Sequence, residues 1–134
     1  VTHNKPEFTL SEERSKVEFK NPKRYEIKEV KVDGCVIVDN NEKKCDYLVN
    51  IEEVRLSIFV ELKGSKVMTA IEQLENTHSH LFPHCYSKVK WFVSSTRCPL
   101  SSTQIQVQRD RIRNKYKAEL EVKNSPLKFT IPSN

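Results

Sequence analysis

Two short segments carry the side chains best suited to chemistry. Cys45-Asp46-Tyr47-Leu48-Val49 is followed, after ten residues, by Val60-Glu61-Leu62-Lys63-Gly64. Side chains alternate along a strand, so Glu61 and Lys63 share one face with Phe59. Ile58, Val60 and Leu62 then form an apolar face behind them. If the connection folds the two segments into an antiparallel pair, Asp46 comes beside Glu61. Two carboxylates at close range on an apolar strand repel each other and resist desolvation. A divalent cation resolves both problems. Mg²⁺ prefers oxygen ligands and commonly takes one or two carboxylates with water and a substrate phosphate. Lys63 stays outside such a metal shell, where its ammonium can position an attacking water or offset negative charge developing on phosphorus. Glu18-Phe19-Lys20 and Glu121-Val122-Lys123 repeat the acid-x-Lys triplet. Glu61 differs from them in its apolar strand, in the acid lying at hairpin range before it, and in the helical pattern that starts directly after Gly64.

This segment resembles the PD-(D/E)xK nuclease superfamily, the fold of many restriction enzymes, Holliday-junction resolvases and repair nucleases. The resemblance rests on Asp46, Glu61 and Lys63, on Glu-Leu-Lys-Gly at a strand end, and on the helix that follows. It spans residues 10 to 94, about two-thirds of the chain. Cys45 stands where the superfamily's proline precedes the first acid. The resemblance implies an α/β (α+β) fold with a restriction-endonuclease-like core, a mixed β-sheet flanked by helices. It implies Mg²⁺-dependent hydrolysis of DNA phosphodiesters by an endonuclease, with Mn²⁺ as a substitute. Asp46 and Glu61 would hold the metal, with the backbone carbonyl of Leu62 as a further ligand. Gln73, ten residues beyond Lys63, would touch the scissile phosphate or orient water from the next helix. In many branches an acid on the first helix joins the metal shell. Glu12, Glu13 and Glu18 all qualify, and the sequence does not choose among them.

Positioning these residues requires a particular order of elements. Val1 to Pro6 reads as a loose N-terminal arm reaching toward residue 8. Thr9 with Glu12 forms a capping-box pattern before a short helix from Leu10 to Phe19, which Asn21-Pro22 ends. Ile27 to Val32 alternates as a half-buried strand. Asp33-Gly34 is either a hairpin turn or a bulge, and Asp39 to Glu42 is a turn. Cys45 to Val49 is the next strand, Ile51 to Arg55 a polar connection, and Leu56 to Lys63 a strongly apolar strand. Val67, Ala70, Ile71, Leu74 and His78 fall at helical spacing, giving an amphipathic helix over 66–78. Val89 to Val93 is a strand, Ser101 and Gln104 cap a helix striped by Ile105, Ile112 and Tyr116, and Glu119 to Ile131 forms one or two strands. Strands a few residues apart pair antiparallel, whereas one reached through the 66–78 helix can be parallel.

A chain of 134 residues with 37% apolar content makes one domain with one core. Lys and Arg number 23 against 18 Asp and Glu, a net +5 that suits a polyanion partner such as DNA. No apolar run approaches the roughly 20 residues that cross a bilayer, and no leader pattern stands out, so the expectation is a cytoplasmic protein. Cysteines 35, 45, 85 and 98 form no Cys-x-x-Cys pair and read as reduced thiols. His78, His80, His84 and Cys85 cluster, but at no familiar zinc spacing, so a polar helix end is the simpler reading. Arg109, Arg113 and Lys117 follow one i, i+4 row that can grip phosphates, and Lys88 and Lys90 can add to that surface. Tyr47, Trp91 and Phe92 read as core aromatics. Cutting both strands would call for a homodimer, and a small domain can take its specificity from a protein partner. The alternative from another class is a non-catalytic nucleic-acid- or protein-binding module on the same fold. A zinc-stabilised interaction domain is a third.

Overall fold

A computed structural model describes residues 1–12, 14–32, 46–64, 66–81, 85–97 and 100–133. In chain order these form β1 (Thr2–His3), β2 (Glu7–Glu12), β3 (Ser15–Lys20), β4 (Ile27–Lys31), β5 (Tyr47–Ile51), β6 (Leu56–Lys63), α1 (Val67–Leu81), β7 (Lys88–Ser95), α2 (Ser102–Tyr116), β8 (Ala118–Asn124) and β9 (Leu127–Thr130). A six-stranded sheet runs β1-β4-β5-β6-β7-β8, and a three-stranded sheet runs β2-β3-β9. The larger sheet is antiparallel from β1 to β6 and parallel from β6 to β8. The switch follows from connection length: α1 and α2 are the crossovers that return the chain to the same edge, as parallel neighbours require. The fold is therefore mixed α+β, with a mixed sheet and two helices.

Strand alternation sorts β6 between two cores. Phe59 joins Leu74, Trp91, Ile112 and Leu120 on the helix face. Ile58, Val60 and Leu62 join Phe19, Phe92 and Leu127 on the face covered by the small sheet. Trp91 and Phe92 are fully buried and Tyr47 is half-buried, as core aromatics. The Ser101–Gln104 capping box forms in full at the start of α2. Among the described residues no helix is long and apolar enough to cross a membrane.

The N-terminal segment departs from expectation. Leu10 to Phe19 is no helix; β2 and β3 form an antiparallel hairpin with Phe8 opposite Phe19 and Leu10 opposite Val17. A helix would have placed Arg14 in the same stripe as Leu10 and Val17. Alternation instead sends Phe8, Leu10, Val17 and Phe19 inward together. Phe8 stacks on Phe19 at 4.6 Å, and Phe19 reaches Phe92 and Phe129 at 6.3 and 6.2 Å. The supposed loose arm is also tied down: Thr2 pairs with Lys28, His3 with Ile27, and the Val1 ammonium donates to the Glu29 carbonyl. Asn21 ends the hairpin by bridging chain segments, donating from Nδ2 to the carbonyls of Lys5 and Tyr25. The turns expected at Asp33-Gly34 and Asp39 to Glu42, with Cys35, Cys45 and Cys98, lie outside the described residues.

Phe19→Ala is expected to destabilise the fold by roughly 3–5 kcal/mol, the range for emptying a buried aromatic site. Denaturant unfolding measures this directly. A loss below about 1 kcal/mol, as for a surface position, would contradict the hairpin packing.

Candidate active site

The register of β5 on β6 builds the site. Tyr47 lies opposite Val60, and the Asp46 N–H donates to the Val60 carbonyl at 3.0 Å. Asp46 thus arrives beside Glu61 at the sheet end, one residue before the strand itself begins. Its Oδ2 accepts the Leu62 N–H at 2.8 Å. Glu61, on the helix face, is only 1% exposed. Lys63 Nζ stands 3.6 Å from Glu61 Oε1, and Asp46 lies against the buried Glu61 carboxyl. An open pocket of about 350 Å³ is lined by these three side chains with Glu12, Leu62 and Gln73. The structure therefore brings Asp46, Glu61, Leu62, Lys63 and Gln73 together.

Electrostatics follow from this burial. Desolvation, then the charge of Asp46, pushes Glu61 up to about 9, against the pull of Lys63. Desolvation also raises Asp46 to about 6; the Leu62 N–H opposes the shift and Glu12 reinforces it. Both carboxyls are thereby held toward the neutral form until positive charge arrives.

Glu12 reaches the pocket from the end of β2, not from a helix. Glu18 lies instead on β3, 3.4 Å from Lys16, and Glu13 is outside the described residues. Two further groups secure Lys63 and Gly64. Ser15 Oγ and the Thr96 N–H both donate to the Lys63 carbonyl. Thr96 Oγ1 and the Arg97 N–H both donate to the Gly64 carbonyl. No local pattern marks Ser15 or Thr96, because their partners lie tens of residues away.

No family model, curated protein or solved structure matches this chain.

Among the described residues no three His, Cys, Asp or Glu side chains group as ligands of one ion. What the pocket offers a hard divalent cation is two neighbouring carboxyls, Asp46 and Glu61, both destabilised as charges by burial. The Leu62 carbonyl points to the Asp46 side, as its N–H does, because both groups of an extended residue point the same way. Mg²⁺ needs no more from protein, since water and substrate phosphate fill its remaining positions. The residues fit the ion.

The other two constellations are used differently. His78 packs edge-on against Tyr116 at 4.9 Å and near Trp91 at 5.6 Å, and burial lowers its pKa. His80 Nδ1 lies 3.0 Å from the Asn76 carbonyl, Cys85 is a half-buried thiol, and His84 is outside the described residues. Along α2, Arg109 meets Glu121 at 3.2 Å, and Arg111 and Lys115 meet Glu75 at 2.7 and 3.9 Å. Lys117 is the C-cap, in the left-handed conformation at φ 58°, so the expected i, i+4 row ends at Arg113. Lys90 pairs with Glu119 at 2.6 Å.

Proposed function

We propose that this protein is a divalent-metal-dependent nuclease that hydrolyses DNA phosphodiester bonds as an endonuclease, on a restriction-endonuclease-like core. The observation that supports this reading best is the pair of buried acids, Glu61 and Asp46, held side by side with Lys63 in a solvent-open pocket, where both carboxyls are pushed toward the neutral form until a cation arrives. A structural role gives no reason to bury two acids against each other, since desolvation and mutual repulsion both cost stability. The same cost disfavours the non-catalytic module, which would use the acids only as packing.

Mg²⁺, or Mn²⁺ in its place, held by Asp46, Glu61 and the Leu62 carbonyl, would polarise a phosphoryl oxygen as a Lewis acid. The remaining work belongs to the chain. The Leu62 N–H fixes the Asp46 carboxylate in orientation. Lys63 offers a fixed positive charge for the negative charge that builds on phosphorus as water adds and a P–O ester bond breaks. Gln73, from α1, presents an amide to the same pocket, suited to holding the scissile phosphate or the attacking water. A second copy would bring the second site that double-strand cutting needs. A cytoplasmic setting and a protein partner that supplies specificity complete the proposal.

Lys63→Ala tests the assignment. Cleavage should fall roughly 10²–10³-fold, as when one preorganised charge-stabilising group is removed, while Mg²⁺ affinity measured by titration calorimetry holds or rises. Cleavage at the wild-type rate would remove Lys63 from the reaction.

A further inference from the structure

We infer that Arg14, Lys66 and Arg97 form the surface that grips the phosphates flanking the bond to be cut. This rests on the nuclease reading and adds to it where the substrate strand lies. The three cations come from three separate parts of the chain: the turn between β2 and β3, the residue just before α1, and the segment just after β7. The main chain of Lys63 and Gly64 gathers them. Ser15, next to Arg14, donates to the Lys63 carbonyl. The Arg97 N–H donates to the Gly64 carbonyl at 2.9 Å, and Lys66 lies two residues beyond Gly64. Arg14 itself lines the pocket, as does Thr96, the neighbour of Arg97.

All three are exposed. Among the described residues none of them lies within ion-pair distance of a carboxylate. The α2 cations differ, since Arg109, Arg111 and Lys115 are already matched to Glu121 and Glu75. A charge with a carboxylate partner has less to gain from a phosphate than an unmatched one. There is also a need to be met. Glu12 and Asp46 set negative charge in the pocket against a polyanion, and screening limits useful attraction to about 10 Å in ordinary salt. Cations near the pocket rim can add to Lys63 in offsetting that repulsion: Arg14 lines the pocket, and Lys66 and Arg97 follow closely on Gly64 and Thr96, which line it.

The test is DNA binding by the full chain across a series of salt concentrations, in chelator so that nothing is cut. Wild type is compared with the triple variant Arg14→Ala, Lys66→Ala, Arg97→Ala, with each single variant, and with the carboxylate-paired set Arg109→Ala, Arg111→Ala, Lys115→Ala. Removing one cation that neutralises a phosphate lowers the slope of log affinity against log salt by about 0.9 on duplex DNA. The rim triple is expected to lose roughly 2–3 from that slope, each single variant about one third as much, and more than the α2 triple loses. The same proteins are then assayed for cleavage in Mg²⁺. A rim triple that keeps the wild-type slope and still cuts overturns this inference and leaves the nuclease reading standing. So does a larger loss in the α2 triple. If the slope falls in the rim triple but wild type never cuts, the rim grips phosphate and the nuclease reading fails. The single variants guard against misfolding of the triple.

Discussion

Asp46→Asn is expected to lower Mg²⁺-supported DNA cleavage by roughly 10³-fold, at the upper end of what one electrostatic or proton-transferring group contributes. Asparagine keeps the size of the side chain, and its Oδ1 can still accept the Leu62 N–H that Asp46 accepts at 2.8 Å. The substitution therefore preserves local geometry while removing one of the two charges that hold the cation. Binding of DNA should move the other way. Removing a negative charge from a pocket that also holds Glu12 lessens repulsion of the phosphate, so affinity in chelator should hold or rise. Cleavage rates and equilibrium binding on the same preparation separate the two effects. Undiminished cleavage, with only stability altered, would reduce Asp46 to a structural residue.

Glu61→Gln is expected to stabilise the metal-free protein at pH 8 while abolishing cleavage. The Glu61 carboxyl is raised from 4.5 to about 9 in the folded state. The folded protein therefore holds a proton that the unfolded chain has released. The stability this proton confers is fully present below pH 4.5 and is lost progressively as pH rises to about 9, at up to ~1.4 kcal/mol per pH unit. Asp46, raised to about 6, works in the same direction over a lower range. Metal-free wild type should consequently melt at a higher temperature at about pH 5.5 than at about pH 8.5, on either side of most of that loss. Glutamine does not titrate, so the variant's melting temperature should vary less between those two values. At pH 8 it should exceed wild type by a few kcal/mol, on the order of 10 °C. Mg²⁺ should narrow the gap by stabilising the ionised wild-type site and should leave the variant unmoved, with protons released as wild type binds. Melting curves in chelator and in Mg²⁺ at both pH values measure all of this. Parallel pH profiles for the two proteins would mean that Glu61 is not the group that titrates.

The centre of the fold is legible in the sequence because its signals are local. Residues 56 to 63 are apolar and bounded by Gly64, and the following helical periodicity is long. Ser101 and Gln104 cap α2 three residues apart. The Glu61 and Lys63 faces follow from alternation alone, and Asp46 joins them once two neighbouring strands pair. The hairpin at Glu7 to Lys20 is not legible in the same way. Thr9-x-x-Glu12 satisfies a local helix pattern. What decides for strands is the stacking of Phe8 on Phe19 and of Phe19 against Phe92 and Phe129, partners far along the chain. A helical reading of this segment also hides why Glu12 and not Glu18 faces the pocket: Glu12 ends β2 beside Ser15, whose hydroxyl is bonded to Lys63. The expected row of Arg109, Arg113 and Lys117 is cut short, because the helix ends before Lys117, and Glu121, which pairs with Arg109, lies on another element.

The most direct measurement incubates wild type and Glu61→Ala with supercoiled, linear and branched DNA, in Mg²⁺, in Mn²⁺ and in chelator. The account predicts cutting by wild type in either metal, none in chelator, and none by Glu61→Ala under any condition. Wild type that cuts no form of DNA in either metal, yet binds it in a salt-sensitive way, would contradict the nuclease and favour a binding module on this fold.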